Sequence, residues 1–202
     1  IVFYPKNGVS PIQEKQMVTQ KGANTFVVGI HGNFDDAQTG VKKIFSDKEL
    51  AKEMDAKGFQ FSSANSINIG RLVPQICYYV YAYAQLLKDG RIAEGEKINV
   101  VVPTGNFGNI LAAFYAKNMG LPIDKLICAS NDNKVLYDFF RTGTYDRNRE
   151  FVLTTSPSMD ILISSNLERL IYRIAGNDAD KNRELMNALT GNGKYEITGE
   201  MK

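Results

Sequence analysis

The chain of 202 residues has little excess of charge of either sign. Lys and Arg together number 24 and Asp and Glu number 22, so the formal net charge is only +2. Nucleic-acid-binding proteins usually carry a concentrated basic patch, which this balance does not favour. No apolar run reaches the length of a membrane span, because the longest, 76–87, is interrupted by tyrosines and Gln85. No signal peptide is visible. We therefore expect neither nucleic acid nor a membrane as a partner.

Cysteine and histidine are also scarce. Cys77 and Cys128 stand far apart in apolar surroundings. We expect both to be buried free thiols of a reducing, cytoplasmic protein, because neither a disulfide nor a metal pair fits this spacing. The single histidine, His31, lies in a predicted loop and is given no role. Asp35 and Asp36 have no other ligand cluster nearby, so we interpret one of them as a helix cap and expect no metal site.

Runs of β-branched residues alternate along the chain with helical patterns, without repeats or low-complexity segments. Such alternation predicts an α/β fold with a mostly parallel sheet and helices on both faces. Pro74 lies in the first turns of one predicted helix, which should begin or kink there. The predicted strands are 1–4, 25–30, 59–63, 97–102, 126–130 and, in the mostly irregular stretch 142–157, a short strand at 151–153. The predicted helices are 12–20, 36–45, 47–56, 69–88, 107–118, 133–141, 164–175 and 178–190.

The first residues form a strand-like run without a start methionine or a polar lead-in. An apolar strand at a terminus is normally preceded by a segment that pairs with it. We therefore expect the chain to be a fragment of a longer polypeptide, truncated at both ends.

The most informative segment is the loop 104–109, Thr-Gly-Asn-Phe-Gly-Asn, between a predicted buried strand and a helix. Ligands of open α/β folds bind where such strands end. Gly105 and Gly108 permit close backbone approach, and the N–H groups of the loop and of the helix N-terminus can point at one anion. Thr104 and Asn106 could add side-chain donors. The loop matches neither the dinucleotide-binding nor the P-loop motif, and close packing of helix on strand explains its glycines equally well.

This loop closely resembles the cofactor-phosphate loop of the threonine synthase family, pyridoxal-phosphate enzymes of the tryptophan-synthase β-like fold (fold type II). Four further segments resemble the bacterial and fungal branch of that family and occur in the family's order. They are VSPIQEKQM at 9–17, FDDAQ at 34–38, NSINIGR at 65–71 and SPSMDI at 156–161. The resemblance extends from the first residues to about Tyr172.

The resemblance implies a parent lyase that converts O-phospho-L-homoserine and water to L-threonine and phosphate with pyridoxal 5'-phosphate. It places residues 1–63 in a smaller N-terminal α/β subdomain and 64–202 in a larger cofactor-binding domain. The family's Schiff-base lysine would precede this chain, so no catalytic residue is assigned and the isolated chain is expected to be inactive. The residues implied to bind the cofactor phosphate are Thr104, Gly105, Asn106, Phe107, Gly108 and Asn109.

A second candidate group comprises Asn65, Ser66, Asn68 and Arg71, at the start of the long predicted helix. These residues could face the active cleft, with Arg71 binding the substrate phosphate bidentately. Alternatively, Asn65 and Ser66 cap the helix and Arg71 is only exposed. Two other functions also stay open, namely a related phospholyase that eliminates phosphate without completing the hydration, and a non-catalytic domain that binds a phosphorylated metabolite. The oligomeric state is not predicted.

Overall fold

The computed structural model describes residues 1–63 and 65–202, which form two compact units, Ile1–Ser62 and Ser63–Lys202. The predicted domain boundary falls beside Ala64, which lies outside the described residues. The first unit contains β1 (Val2–Pro5), α1 (Pro11–Val18), β2 (Val27–Ile30), α2 (Phe34–Ser46) and α3 (Lys48–Ala56). The second contains α4 (Ile69–Leu72), α5 (Ile76–Lys88), β3 (Ile98–Pro103), α6 (Gly108–Asn118), β4 (Ile123–Ala129), α7 (Val135–Thr142), β5 (Thr144–Asp146), α8 (Leu167–Ile174), α9 (Ala179–Asn192) and β6 (Lys194–Glu196).

In the first unit, β1 and β2 form a parallel pair. The helix α1 begins with Ser10 as the N-cap and proline at the first helical position, as the Ser-Pro pair in the sequence indicates. The start of α2 differs from the prediction. Its N-cap is Asn33, whose side chain accepts from the Asp36 N–H at 2.9 Å while the Asp36 carboxylate accepts from the Asn33 N–H at 2.8 Å. Asp36 is therefore the third helical residue of a reciprocal cap, not the cap itself.

The core of the second unit forms around α6, which packs beside the parallel strands β3 and β4. This helix buries Ile110 and Leu111 together with Ala112, Ala113 and Ala116. Small alanines on the buried surface allow the helix axis to approach its neighbours closely. The predicted break at Pro74 is confirmed, because a 3₁₀ turn, Val73–Gln75, separates α4 from α5.

The α/β class is confirmed, but the described residues form three two-stranded pairs rather than one continuous sheet. The pair of β5 and β6 is antiparallel and was not predicted. Strands of three residues are too short to show an alternating pattern in the sequence. Tyr145 of β5 stacks on Tyr195 of β6, with 5.4 Å between their ring centroids, and this tertiary contact holds the two strands together. The strands predicted at 59–63 and 151–153 do not form in the described residues.

The two cysteines are free, but they are not both buried as predicted. Cys77 is exposed on α5, whereas Cys128 is half-buried on β4. Burial raises the pKa of the Cys128 thiol. None of the helices in the described ranges is long and apolar enough to cross a membrane.

Candidate functional site

The loop between β3 and α6 turns sharply at the end of the parallel strand pair. The Thr104 N–H still donates to the Ala129 carbonyl at 2.9 Å, which extends the ladder of β3 and β4 by one residue. The chain then passes through Phe107, which has a left-handed backbone with φ 66° and a buried ring. This conformation is uncommon for a residue with a Cβ, so the surrounding packing must hold it. The helix α6 begins at the next residue.

Most of the backbone donors of this loop are unpaired. Among the residues that the structure describes, the N–H groups of Gly105, Asn106, Phe107 and Asn109 have no hydrogen-bond acceptor. The Gly108 N–H instead donates to the Asn106 Oδ1 at 3.0 Å. Four unpaired donors lie beside the positive end of the α6 dipole, which is an arrangement suited to an anion.

The side chains predicted to add further donors are engaged inside the protein. The Thr104 hydroxyl donates to the Val102 carbonyl at 2.7 Å. A hydroxyl has one proton, so the expectation that Thr104 donates to a bound anion is not met in this conformation. The Asn106 amide accepts from Gly108, and its Nδ2 lies 3.4 Å from the Asn65 Oδ1. Backbone groups are therefore the main donors of the site.

Both glycines of the loop are required by close packing. A Cβ on Gly105 would lie 2.6 Å from the Ser158 carbonyl oxygen. A Cβ on Gly108 would lie 2.1 Å from the Ser66 Oγ and 2.6 Å from the Ser66 Cβ. The two explanations that the sequence left open are therefore compatible, because the close packing at both glycines leaves the N–H groups of Gly105, Asn106, Phe107 and Asn109 unpaired among the described residues.

The structure brings two residues of the second candidate group, Asn65 and Ser66, to this loop. Ser66 is buried directly against Gly108, and Asn65 lies beside Asn106. Asn68 is the N-cap of α4, since its Oδ1 accepts from the Gly70 N–H at 3.0 Å. The side chain of Arg71 is exposed. Ser66 and Asn68 thus have structural contacts, which leaves Arg71 as the accessible cation of the group.

Two residues just before α8, Ser164 and Asn166, contact the loop and were missed by the sequence analysis. The Ser164 Oγ donates to the Gly105 carbonyl at 2.6 Å. The Asn166 N–H and Nδ2 both donate to the Asn106 carbonyl at 3.0 Å. Asn166 stands at the N-cap position of α8 but makes no side-chain cap bond. Its residue type and position indicate a cap, so the local pattern held no signal for a contact 60 residues away in sequence.

A third missed residue is Tyr79 on α5. Its hydroxyl contacts the Asn109 carbonyl at 3.1 Å and also the Asn109 Oδ1. Burial raises the pKa of Tyr79 to about 12, so the hydroxyl is a neutral donor at physiological pH. With Oδ1 facing Tyr79, the amide nitrogen of Asn109 points away from this tyrosine.

The irregular stretch beside Gly105 is held by the buried carboxylate of Asp160. This carboxylate accepts hydrogen bonds from Asn131 at 2.6 Å, from Asn133 at 3.1 Å and from the Thr154 hydroxyl and N–H at 2.7 and 2.8 Å. Asn133 also pairs with both backbone groups of Val152. Side chains thus replace the strand predicted at 151–153, and they fix the segment whose Ser158 carbonyl packs on the loop.

No family model matches the chain. The chain is 48% identical over 199 residues to threonine synthase-like 1 of Macaca fascicularis. The aligned region covers 98% of this chain and 27% of that protein. It is 41% identical over 205 residues to threonine synthase of Saccharomyces cerevisiae. Here the aligned region covers 97% of this chain and 38% of that protein. A solved structure of PLP-bound threonine synthase from Brucella melitensis matches with a TM-score of 0.81 at 43% identity, covering 98% of this chain and 40% of that one.

The family resemblance read from the five ordered segments is confirmed by these similarities along nearly the whole chain. The chain spans only about a quarter to two fifths of the length of the relatives that it matches. The chain is therefore homologous to one segment of the longer threonine synthases and threonine synthase-like proteins.

Proposed function

We propose that the protein is a pyridoxal-phosphate-dependent carbon–oxygen lyase that converts O-phospho-L-homoserine and water to L-threonine and phosphate. The observation that supports this proposal best is the set of unpaired N–H groups on Gly105, Asn106, Phe107 and Asn109, beside the N-terminus of α6. The Brucella melitensis relative, whose solved structure has pyridoxal phosphate bound, matches this segment.

The loop fits the phosphate group of that cofactor. A phosphate dianion has several acceptor oxygens and no need of a counter-cation when backbone donors and a helix dipole face it. The chemistry that bound pyridoxal phosphate supplies is an electron sink, which allows protons to be moved at the α and β carbons of an amino-acid substrate. In this proposal the loop binds and orients the cofactor, and the segment 64–202 belongs to the cofactor-binding domain.

Arg71 is proposed to bind the phosphate of the substrate. It is exposed at the end of α4, on the segment whose Ser66 packs against the loop. Arg71→Ala in the full-length protein should raise the KM for O-phospho-L-homoserine roughly tenfold or more, as expected for a lost hydrogen bond to a charged group. The matched control is Arg91→Ala, which removes another exposed arginine. An unchanged KM would rule out this role for Arg71.

The reaction is tested by incubating the full-length protein with pyridoxal phosphate and O-phospho-L-homoserine and identifying the organic product. L-threonine with an equal amount of phosphate supports the proposal. The rival phospholyase would instead give 2-oxobutyrate. A spectral titration that shows no cofactor binding would favour a domain that only binds a phosphorylated metabolite.

We also propose that the lysine that holds the cofactor is not among residues 1–202. In the family, this lysine stands in a Phe-Lys-Asp-like setting. No lysine of the chain follows a phenylalanine and precedes an aspartate, and the one in a Leu-Lys-Asp sequence, Lys88, is exposed at the end of α5. The 202-residue chain alone should therefore release no phosphate from O-phospho-L-homoserine above a no-protein control. Phosphate release by this chain would contradict the proposal.

A further inference from the structure

In the middle of the loop 104–109, the carbonyl groups of Gly105 and Asn106 accept hydrogen bonds from the segment before α8, whereas the N–H groups of Asn106 and Phe107 are unpaired among the described residues. We infer that Ser164 and Asn166 are a pair of positioning residues that orient two successive peptide planes of the loop, so that their N–H groups face a phosphate monoester. This inference rests on the function proposed above. It assigns no contact with the ligand to either side chain.

In a trans peptide, the C=O of one residue and the N–H of the next residue point in opposite directions. The structure contains no cis peptide bond in the described residues. Ser164 holds the Gly105 carbonyl at 2.6 Å and thereby aims the Asn106 N–H away from itself. Asn166 holds the Asn106 carbonyl with two donors at 3.0 Å and aims the Phe107 N–H in the same manner. Both of these N–H groups are among the unpaired donors of the loop.

The side chain of Asn166 is itself held firmly by its neighbours. It is fully buried, with 0% exposure, and its Nδ2 also donates to the Ser66 Oγ at 3.0 Å. Its Oδ1 accepts from the Arg169 guanidinium, which in turn donates to the carbonyls of Ser66 at 2.9 Å and Ile67 at 2.7 Å. A guanidinium has only donors, so it requires the oxygen end of the amide and leaves the NH₂ end for Asn106 and Ser66. The amide therefore has a single satisfied orientation.

The backbone of the loop at Phe107 needs this support. Phe107 has a left-handed backbone, which is disfavoured unless its neighbours hold it. With Ser164 and Asn166 in place, the N–H groups are aimed before any ligand binds. Preorganised donors spare the binding free energy that would otherwise be spent on ordering the loop. Without these contacts, the peptide planes could rotate, and the loss would affect ligands that carry a phosphate.

The test compares pyridoxal phosphate with pyridoxal, which lacks the phosphate, in calorimetric titrations of the apo full-length protein. Asn166→Ala should weaken pyridoxal phosphate binding roughly tenfold, and Ser164→Ala roughly fivefold, from the net value of the hydrogen bonds lost. Pyridoxal binding should stay unchanged, so the affinity ratio of the two ligands falls. The matched control is Ser165→Ala in the same segment, since the Ser165 Oγ is buried without a hydrogen-bond partner among the described residues.

The ratio is the readout that a merely structural role would not move, because general destabilisation weakens both ligands. Ser164→Ala removes a single hydroxyl, and it keeps the inference testable if Asn166→Ala fails to fold. An unchanged ratio in the folded variants overturns the inference, as does an equal fall in Ser165→Ala. A wild-type protein that binds both ligands equally would instead overturn the proposed function, since then the loop does not recognise phosphate.

Discussion

Replacing Gly108 by alanine should destabilise the loop 104–109, because the added Cβ would meet Ser66. Gly108 is the first residue of α6, where its backbone suits alanine. Exchange of glycine for alanine within a helix would by itself stabilise the protein by about 0.5–1 kcal/mol. The added Cβ, however, would lie 2.1 Å from the Ser66 Oγ and 2.6 Å from the Ser66 Cβ.

Ser66 cannot give way easily. It is buried, its Oγ accepts from Asn166 at 3.0 Å, and its carbonyl accepts from Arg169 at 2.9 Å. Because the Cβ of Ser66 is itself too close, a rotation of the hydroxyl alone does not relieve the clash. Overpacking of this kind costs about 1–3 kcal/mol, and a clash with a held backbone belongs at the upper end of that range. After subtracting the helix term, we expect a net destabilisation of about 2 kcal/mol.

The assay measures chemical unfolding and the Kd for pyridoxal phosphate in the same full-length variant. Gly108→Ala should lower the unfolding midpoint and weaken binding, because the N-terminus of α6 must move away from Ser66. Gly191→Ala is the matched control, since a Cβ on this residue of α9 meets nothing within 4 Å. Adding Ser66→Gly to the Gly108→Ala variant should recover part of the loss by removing the clashing atoms. Wild-type midpoint and affinity in Gly108→Ala would refute the reasoning.

Three further outcomes are expected. Tyr79→Phe should weaken pyridoxal phosphate binding by a few-fold, to the same extent at pH 7 and pH 9, because the raised pKa of about 12 keeps the hydroxyl protonated; a loss that grows over this range would contradict this reading. Asp160→Asn should lower the free energy of unfolding by about 3 kcal/mol in chemical unfolding, since the new NH₂ group would face the hydrogen-bond donors of Asn131 and Thr154. An unchanged unfolding midpoint would show that these hydrogen bonds do not stabilise the protein. The Cys128 thiol should be alkylated more slowly at pH 8 in the native protein than in denaturant, as followed by peptide mass spectrometry, because burial raises its pKa; equal rates would count against that burial.

The predictions that succeeded concern features written in contiguous residues. The strand before the loop and the helix after it follow from a β-branched run and from small apolar residues bounded by glycine, and both are found in the structure. Ser10 as the cap of α1 and Pro74 as the break before α5 follow from the side-chain chemistry of single residues. The cap of α2 was assigned wrongly because Asn33, Asp35 and Asp36 are all competent caps, and only the observed hydrogen bonds choose among them.

The other predictions that failed depend on contacts between distant residues. The pairing of β5 with β6 joins Tyr145 to Tyr195, across 50 residues of sequence. The exposure of Cys77 depends on which surface of α5 packs, and an apolar run of α5 does not define that surface. The irregular backbone at 151–153 is held in part by Asn133, which pairs with both backbone groups of Val152. None of these partners can be identified from a local pattern, because each depends on tertiary proximity.

The sequence by itself determined the local frame of the loop 104–109, which is a β-branched strand, two glycines and a helix of small apolar residues. Backbone N–H groups at such a junction can bind an anion without particular side chains, but the same glycines also suit close packing, so the six residues alone left both interpretations open. Only the tertiary structure decided which way those groups point. Their direction depends on Ser164 and Asn166, which hold the opposite ends of the same peptide planes from about 60 residues away. Peptide planarity is local, but the hydrogen bonds that select one rotation of each plane are formed only in the folded protein.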